Sequence, residues 1–275
     1  MVPLDNDSLK IAFKEGNKLA KILGISQDYF NVKKVDRDMT YSILSPALTV
    51  CDVGGASGID GLPISKHVNF TVILDINLDA LKLGKMRAYE LGLRSKIDFI
   101  KASAIKLPFR GKALNLVTCF SVLDHLPNKK SAQTAIFEFA RVILYRGHVV
   151  ITLPNTLFLL GTVIMKVKYL TESDAFFEQR FTPKELLTMA TLAGLTPINF
   201  GSSYPSIIGD CILKNNLPKI VNKLPTELLN VLLRLSERIF ELAERISYLK
   251  LVAPRVGYLF QKSNHSDFSQ RSSSE

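Results

Sequence analysis

Apolar residues along the chain fall into short β-rich runs that stop on polar residues, alternating with longer stretches at helical spacing. Leu48-Thr49-Val50-Cys51 stops at Asp52, and NFTVIL (Asn69–Leu74) stops at Asp75. Ile97–Ile100, Asn115–Cys119 and His148–Leu153 make three more strands, with Leu195–Phe200 and Val256–Gln261 completing seven. Helical spacing fills Ser8–Leu23, Tyr29–Leu44, the stretch from Asn77 to Leu91, Lys129–Leu144 and Asn155–Leu170. Thr182-Pro183-Lys184-Glu185 opens another helix: Thr caps, Pro suits the first helical position and Glu reaches back. Strand and helix alternating through short links predict an α/β fold, a mostly parallel, doubly wound sheet with helices on both faces.

The pattern divides the chain into an N-terminal helical cap (1–45), a main domain (46–262) with helical inserts near 155–180 and 215–250, and a disordered serine-rich tail (263–275). Leu228, Leu232, Leu235, Ile239, Leu242, Ile246 and Leu249 alternate at spacings of four and three. That stripe is expected to pack on its own chain, a homodimer seam being the alternative.

Composition adds little chemistry. The chain has 275 residues, 47% of them hydrophobic, which is ample for a core. Cys51, Cys119 and Cys211 lie far apart in apolar surroundings, reading as buried thiols of a reducing, cytoplasmic compartment. The four histidines show no metal-ligand spacing, and no metal is expected. The 148–170 region is interrupted by Pro154, Gly161 and lysines and is too short to span a bilayer. A net charge of +10 favours anionic partners, peripheral membrane contact among them, but no specific nucleic-acid element stands out.

The chemistry concentrates at TVCDVGGASGIDG, Thr49–Gly61. A buried strand there meets a turn of small residues, Gly54-Gly55-Ala56-Ser57-Gly58, and Ile59 onward can enter a helix. Bare backbone lets a ligand approach closely, and a helix start offers N–H groups. The pattern D-x-G-x-x-x-G is neither a dinucleotide fingerprint nor a P-loop, and a tight turn without ligand remains the alternative. Asp75 ends the next strand 23 positions after Asp52. A carboxylate there can accept from both hydroxyls of a ribose and repels a 2′-phosphate. Its alternative role is at the entrance of the helix that Asn77 caps.

With these residues in view, the chain resembles class I S-adenosylmethionine-dependent methyltransferases, most of all the group containing the ubiquinone/menaquinone-biosynthesis enzymes. The likeness runs from Leu48 to Gly201 and returns near Val256. Asp52 through Gly58 matches the E/D-x-G-x-G-x-G loop with Ala56 at the middle glycine, and Asp75 matches the ribose acid. Ser103-Ala104-Ile105-Lys106-Leu107-Pro108-Phe109 matches D-A-x-x-L-P-F, with Ser103 in place of Asp. Asn115 to Leu126 matches the fourth-strand motif with Asn115 for Asp. Tyr145-Arg146 stands where Pro-Gly is common, and Arg180-Phe181-Thr182-Pro183 resembles R-x-F-T-P.

The resemblance implies S-adenosyl-L-methionine as cofactor. Asp52, Gly54, Gly55, Ala56, Gly58, Asp75, Ile76, Ser103, Ala104, Cys119 and Phe120 would then line its site. Asp52 and carbonyls after Cys119 would take the amino group, the helix start near Gly58-Ile59 the carboxylate. Ile76 and Leu107 would sandwich adenine, and the Phe120 ring would face the sulfonium; each has the core as its alternative, and Phe120 and Leu107 are more often core than ligand. His125 is the candidate general base and Asp124 a weaker one; each has packing as its alternative. The implied activity is methyl transfer to a small, apolar acceptor. The alternatives are an RNA or protein methyltransferase, or a non-catalytic binding protein of the same fold.

Overall fold

The structure is a computed structural model in which residues 33–158, 179–203 and 246–263 are described. Seven strands form one sheet: β1 (Thr49–Val53), β2 (Phe70–Asp75), β3 (Ile97–Lys101), β4 (Leu114–Phe120), β5 (Ile143–Pro154), β6 (Leu195–Ser203) and β7 (Arg255–Lys262). Their order is β3-β2-β1-β4-β5-β7-β6. The first five are parallel, while β7 runs antiparallel to both β5 and β6. The seven-stranded, doubly wound α/β architecture expected from the sequence is the one found.

Helices pack on both faces: α1 (Lys34–Tyr41), α2 (Gly61–Ser65), α3 (Leu78–Glu90), α4 (Lys129–Val142), α5 (Pro183–Leu192) and α6 (Ser247–Leu251). Alternation along each strand decides which face a residue serves. Cys51, Val53, Val117, Val149, Ile151 and Phe260 point to the face covered by α4 and α5. Val50, Leu116, Val150 and Leu259 point to the other, where Val35 and Met39 of α1 join them. Helix α1 therefore shares the core of the sheet. Parallel strands buried on both faces are near-continuous apolar runs, which is why the sequence pattern is so plain there.

Order reversal places β1 between β2 and β4, so the chain leaves β1 and β4 in opposite directions at their carboxyl ends. Such a switch point opens a crevice at the strand ends. Register aligns those ends: Val53 pairs with Leu74 and with Cys119, and Asp75 pairs with Lys101.

Several expectations need correction. The helix after the glycine-rich turn is a single five-residue turn, Gly61–Ser65, with Pro63 inside it. Helix α4 ends at Val142, and β5 begins at Ile143, five residues earlier than the sequence pattern suggests. The early start accommodates a register break between Leu114 and Leu116, with Arg146 held at φ +60°. The Thr182 cap is as expected, including the reciprocal Glu185 bonds of a capping box. The Ser8–Leu23 helix, the apolar helix after Pro154, most of the 228–249 stripe and the tail lie outside the described residues. Among the described residues no helix is long and apolar enough to cross a membrane.

Candidate cofactor site

The turn after β1 hangs from the end of β2. Gly54 and Gly55 N–H both donate to the Leu74 carbonyl, at 2.6 and 3.2 Å, and Gly58 N–H donates to Gly55 at 2.8 Å. The backbone is left-handed at Gly54 (φ +71°), Ala56 (φ +47°) and Gly58 (φ +79°). A side chain at Gly54 would run into Val122, so glycine is required there twice over. Ala56 pays about 1 kcal/mol for its left-handed geometry, and its N–H is held by Asp75 Oδ2 at 2.9 Å.

Asp75 fills the helix-entrance role and braces the glycine-rich turn as well. Its Oδ1 accepts from Asn77 N–H at 2.8 Å, at the entrance of α3, where Asn77 caps Asp79 and Ala80. Its Oδ2 reaches across to the glycine-rich turn. An ionised carboxylate has about four acceptor positions, so two remain for the vicinal hydroxyls of a ribose. Beside it Ile76 is 69% exposed, an apolar side chain at a strand end with no packing explanation.

At the end of β3, Ala102 N–H donates to the Asp75 carbonyl at 3.1 Å, and Ser103 to Lys106 close a tight turn. The Ser103 hydroxyl accepts from Ile105 N–H at 3.4 Å, while the Ala104 side chain is buried. Leu107 takes the core position that is the alternative to its adenine contact. It is 4% exposed and belongs to the core, with its N–H on Glu138 and its carbonyl on Arg141. Those two bonds tie its backbone to α4, and the half-exposed apolar residue of this turn is Ile105.

Asp52 lies beneath the turn and is buried. Thr118 Oγ1 donates to its Oδ1 at 2.8 Å, and its Oδ2 has no partner. A Cβ at Gly55 would stand 2.6 Å from that oxygen and one at Gly61 3.0 Å, so it is enclosed by both limbs of the turn. Burial, then the nearby Asp60 carboxylate, raise its pKa from 3.8 to about 7. The Cys119 side chain is in the core, so only its backbone can serve a ligand. The Phe120 ring is 7% exposed and packs against α1, with the Lys33 ammonium 5.7 Å from its centroid.

Past β4, Ser121 (φ +53°) turns the chain into the short helical turn Leu123–His125. The half-exposed His125 ring has Nε2 3.7 Å from the buried Asp124 carboxylate. Residues 179–181 lie over this turn: Gln179 N–H donates to the Asp124 carbonyl at 2.6 Å, and Phe181 pairs with Asn155. Asn115, which replaces a family aspartate, accepts from Thr49 N–H at 2.8 Å and ties β4 to the start of β1.

A buried network absent from the sequence reading closes this edge. Arg255, the first residue of β7, donates to both Asp36 oxygens (2.9 and 2.7 Å), to Thr152 (2.7 Å) and to Ser121 (2.6 Å). It joins α1, β5 and the exit of β4. No local pattern signals a pair 219 positions apart.

The site thus offers a left-handed small-residue turn, an acid at the end of β2 and an exposed apolar residue after it. That combination fits an adenosyl group. Residues 50–147 match the protein family described as a methyltransferase domain. Over those residues the chain is similar to a methyltransferase domain. Among curated relatives, the ubiquinone/menaquinone biosynthesis C-methyltransferase UbiE of Blochmanniella pennsylvanica is 31% identical over 105 residues, covering 37% of this chain and 40% of that one. The match therefore spans about two-fifths of that relative's length. Solved structures similar to this chain include a geranyl diphosphate C-methyltransferase from Streptomyces coelicolor with S-adenosyl-L-homocysteine (TM-score 0.58, 13% identity, 84% of this chain and 76% of that one). The [4+2]-cyclase SpnF is equally similar (TM-score 0.58, 13% identity, 84% and 81%). At such identities these likenesses show the fold.

Proposed function

We propose that the chain binds S-adenosyl-L-methionine and directs its methyl group to a small, apolar acceptor. The observation that carries this reading is the Asp75 carboxylate, which joins the left-handed turn to the end of β2 and keeps acceptor positions for a ribose. When bound, the cofactor supplies an already activated methyl group, so the protein's part is alignment and exclusion of water. Asp75 orients the ribose, Ile76 and the Ser103–Ile105 turn hold the adenine, and the carbonyls at the exit of β4 face the sulfur end. His125, at the crevice edge, takes a proton from an acceptor that must lose one. The apolar acceptor is supported by the names of the UbiE relative and the geranyl diphosphate neighbour.

Titration calorimetry with S-adenosyl-L-homocysteine tests the reading. Micromolar binding is expected, lost by a factor of at least about 100 in Asp75→Ala, as two charge-assisted hydrogen bonds would imply. Failure of the wild-type chain to bind would sink it. A second reading, the same fold turned to other chemistry, draws on the cyclase neighbour and on Ser103 standing where an acid is usual. Cofactor binding with no labelled methyl transferred to quinones, prenyl compounds or RNA would favour it.

A further inference from the structure

We propose that the ion pair between Lys33 and Asp60 holds the place of the cofactor's amino-acid end, with Lys33 passing to its carboxylate and Asp60 to its ammonium. The inference rests on the cofactor reading above and names the residues for the part of the ligand that strand ends do not explain. A carboxylate there needs a partner, and α2 is a poor one. It is five residues long, and the Leu62 and Ile64 N–H groups already donate to Gly58 and Asp60. So short a helix sums few peptide dipoles.

A side-chain cation stands at the same place. Lys33, at the start of α1, donates to Asp60, two residues past Gly58, and the two side chains are only 12% and 18% exposed. Its ammonium also lies over the Phe120 ring at the end of β4. Arg37, one turn along α1, sits close enough to feel the same Asp60 carboxylate. Arg37, Ile59, Asp60, Pro63 and Phe120 line a small cleft between α1 and the residues after the turn. Asp52, enclosed beneath the turn, does not open on that cleft.

Charge bookkeeping favours the exchange. The amino-acid end is a zwitterion, with one ammonium and one carboxylate. Opening one ion pair and forming two leaves no charge unpaired in a shielded site, where an uncompensated ion is expensive.

The test compares two probes by calorimetry on the full chain: S-adenosyl-L-homocysteine, and 5′-methylthioadenosine, which keeps the adenosyl thioether without the amino-acid end. Lys33→Met and Asp60→Asn are each expected to weaken S-adenosyl-L-homocysteine at least tenfold and to leave 5′-methylthioadenosine within about twofold. Lys33→Gln, with a neutral amide of similar reach, serves as a second variant and should behave like Lys33→Met. Unchanged or tighter S-adenosyl-L-homocysteine binding in the lysine variants overturns the proposal, and so does equal weakening of both probes. Wild-type chain that binds neither probe overturns the cofactor reading itself. Wild type binding both equally tightly overturns only the present inference.

Discussion

Asp52→Asn should stabilise this protein at alkaline pH and leave it little changed near pH 4. The native carboxyl is fully buried, has one donor in Thr118, and has its second oxygen closed in by Gly55 and Gly61. The charged groups around it are Asp60 and Asp75, which oppose ionisation, and Lys33, which favours it. Its pKa rises from 3.8 to about 7 in the fold. Because the folded value is the higher one, the native state binds the extra proton between these limits. Stability from this group is complete below pH 3.8, falls as pH rises through the window, and is lost above about 7. At 1.36 kcal/mol per pH unit the full loss is about 4 kcal/mol. Asparagine mimics the protonated acid and has no such window. Urea unfolding of both proteins at half-unit steps from pH 4.5 to 8.5 measures the effect. Their stability difference should grow with pH in favour of the variant, then level off above about pH 7.5. A difference that stays flat, or that favours wild type at pH 8, would refute an orphaned carboxylate beneath the turn.

Other outcomes follow from the same geometry. Arg255→Met leaves Asp36 charged and buried and should cost about 3–5 kcal/mol in denaturant unfolding. The double variant Asp36→Leu/Arg255→Met should regain much of that, since the pair is then replaced by packing. Gly55→Ala places a methyl 2.6 Å from Asp52 Oδ2 and 2.9 Å from Ile73, an overpacking expected to cost about 1–3 kcal/mol. Gly92→Ala meets nothing within 4 Å and has φ +68°, so only its conformational penalty of about 1 kcal/mol should appear. Thermal melts of the two variants, read side by side, separate contact from conformation.

The division between what the sequence discloses and what it hides follows sequence distance. Buried parallel strands are apolar runs with polar stops, so Asp52 and Asp75 mark their ends without help from tertiary structure. Asn77 and Thr182 likewise act on their own neighbours, and both caps are where the pattern puts them. Leu107 and Ile105 are both apolar and two positions apart; the one that is buried, Leu107, has its backbone tied to Glu138 and Arg141, some thirty residues away. Asn115 reads as a degraded site residue until Thr49 is seen bonded to it. Pro63 in the sequence did bear on the length of α2, yet a proline near a helix start is also a favourable signal, so the pattern alone is ambiguous there. The wall of the crevice is the extreme case. Asp36 meets Arg255 because β7 returns antiparallel along β5, which sets Arg255 opposite Pro154. Lys33 meets Asp60 because α1 packs on the face that Val50, Leu116 and Val150 share. In the proposed reading an adenosyl group would be gripped by strand ends, whose identity is local, and so the sequence points to it. The amino-acid end would meet a helix brought from elsewhere in the chain, and only the fold shows which charges arrive with that helix.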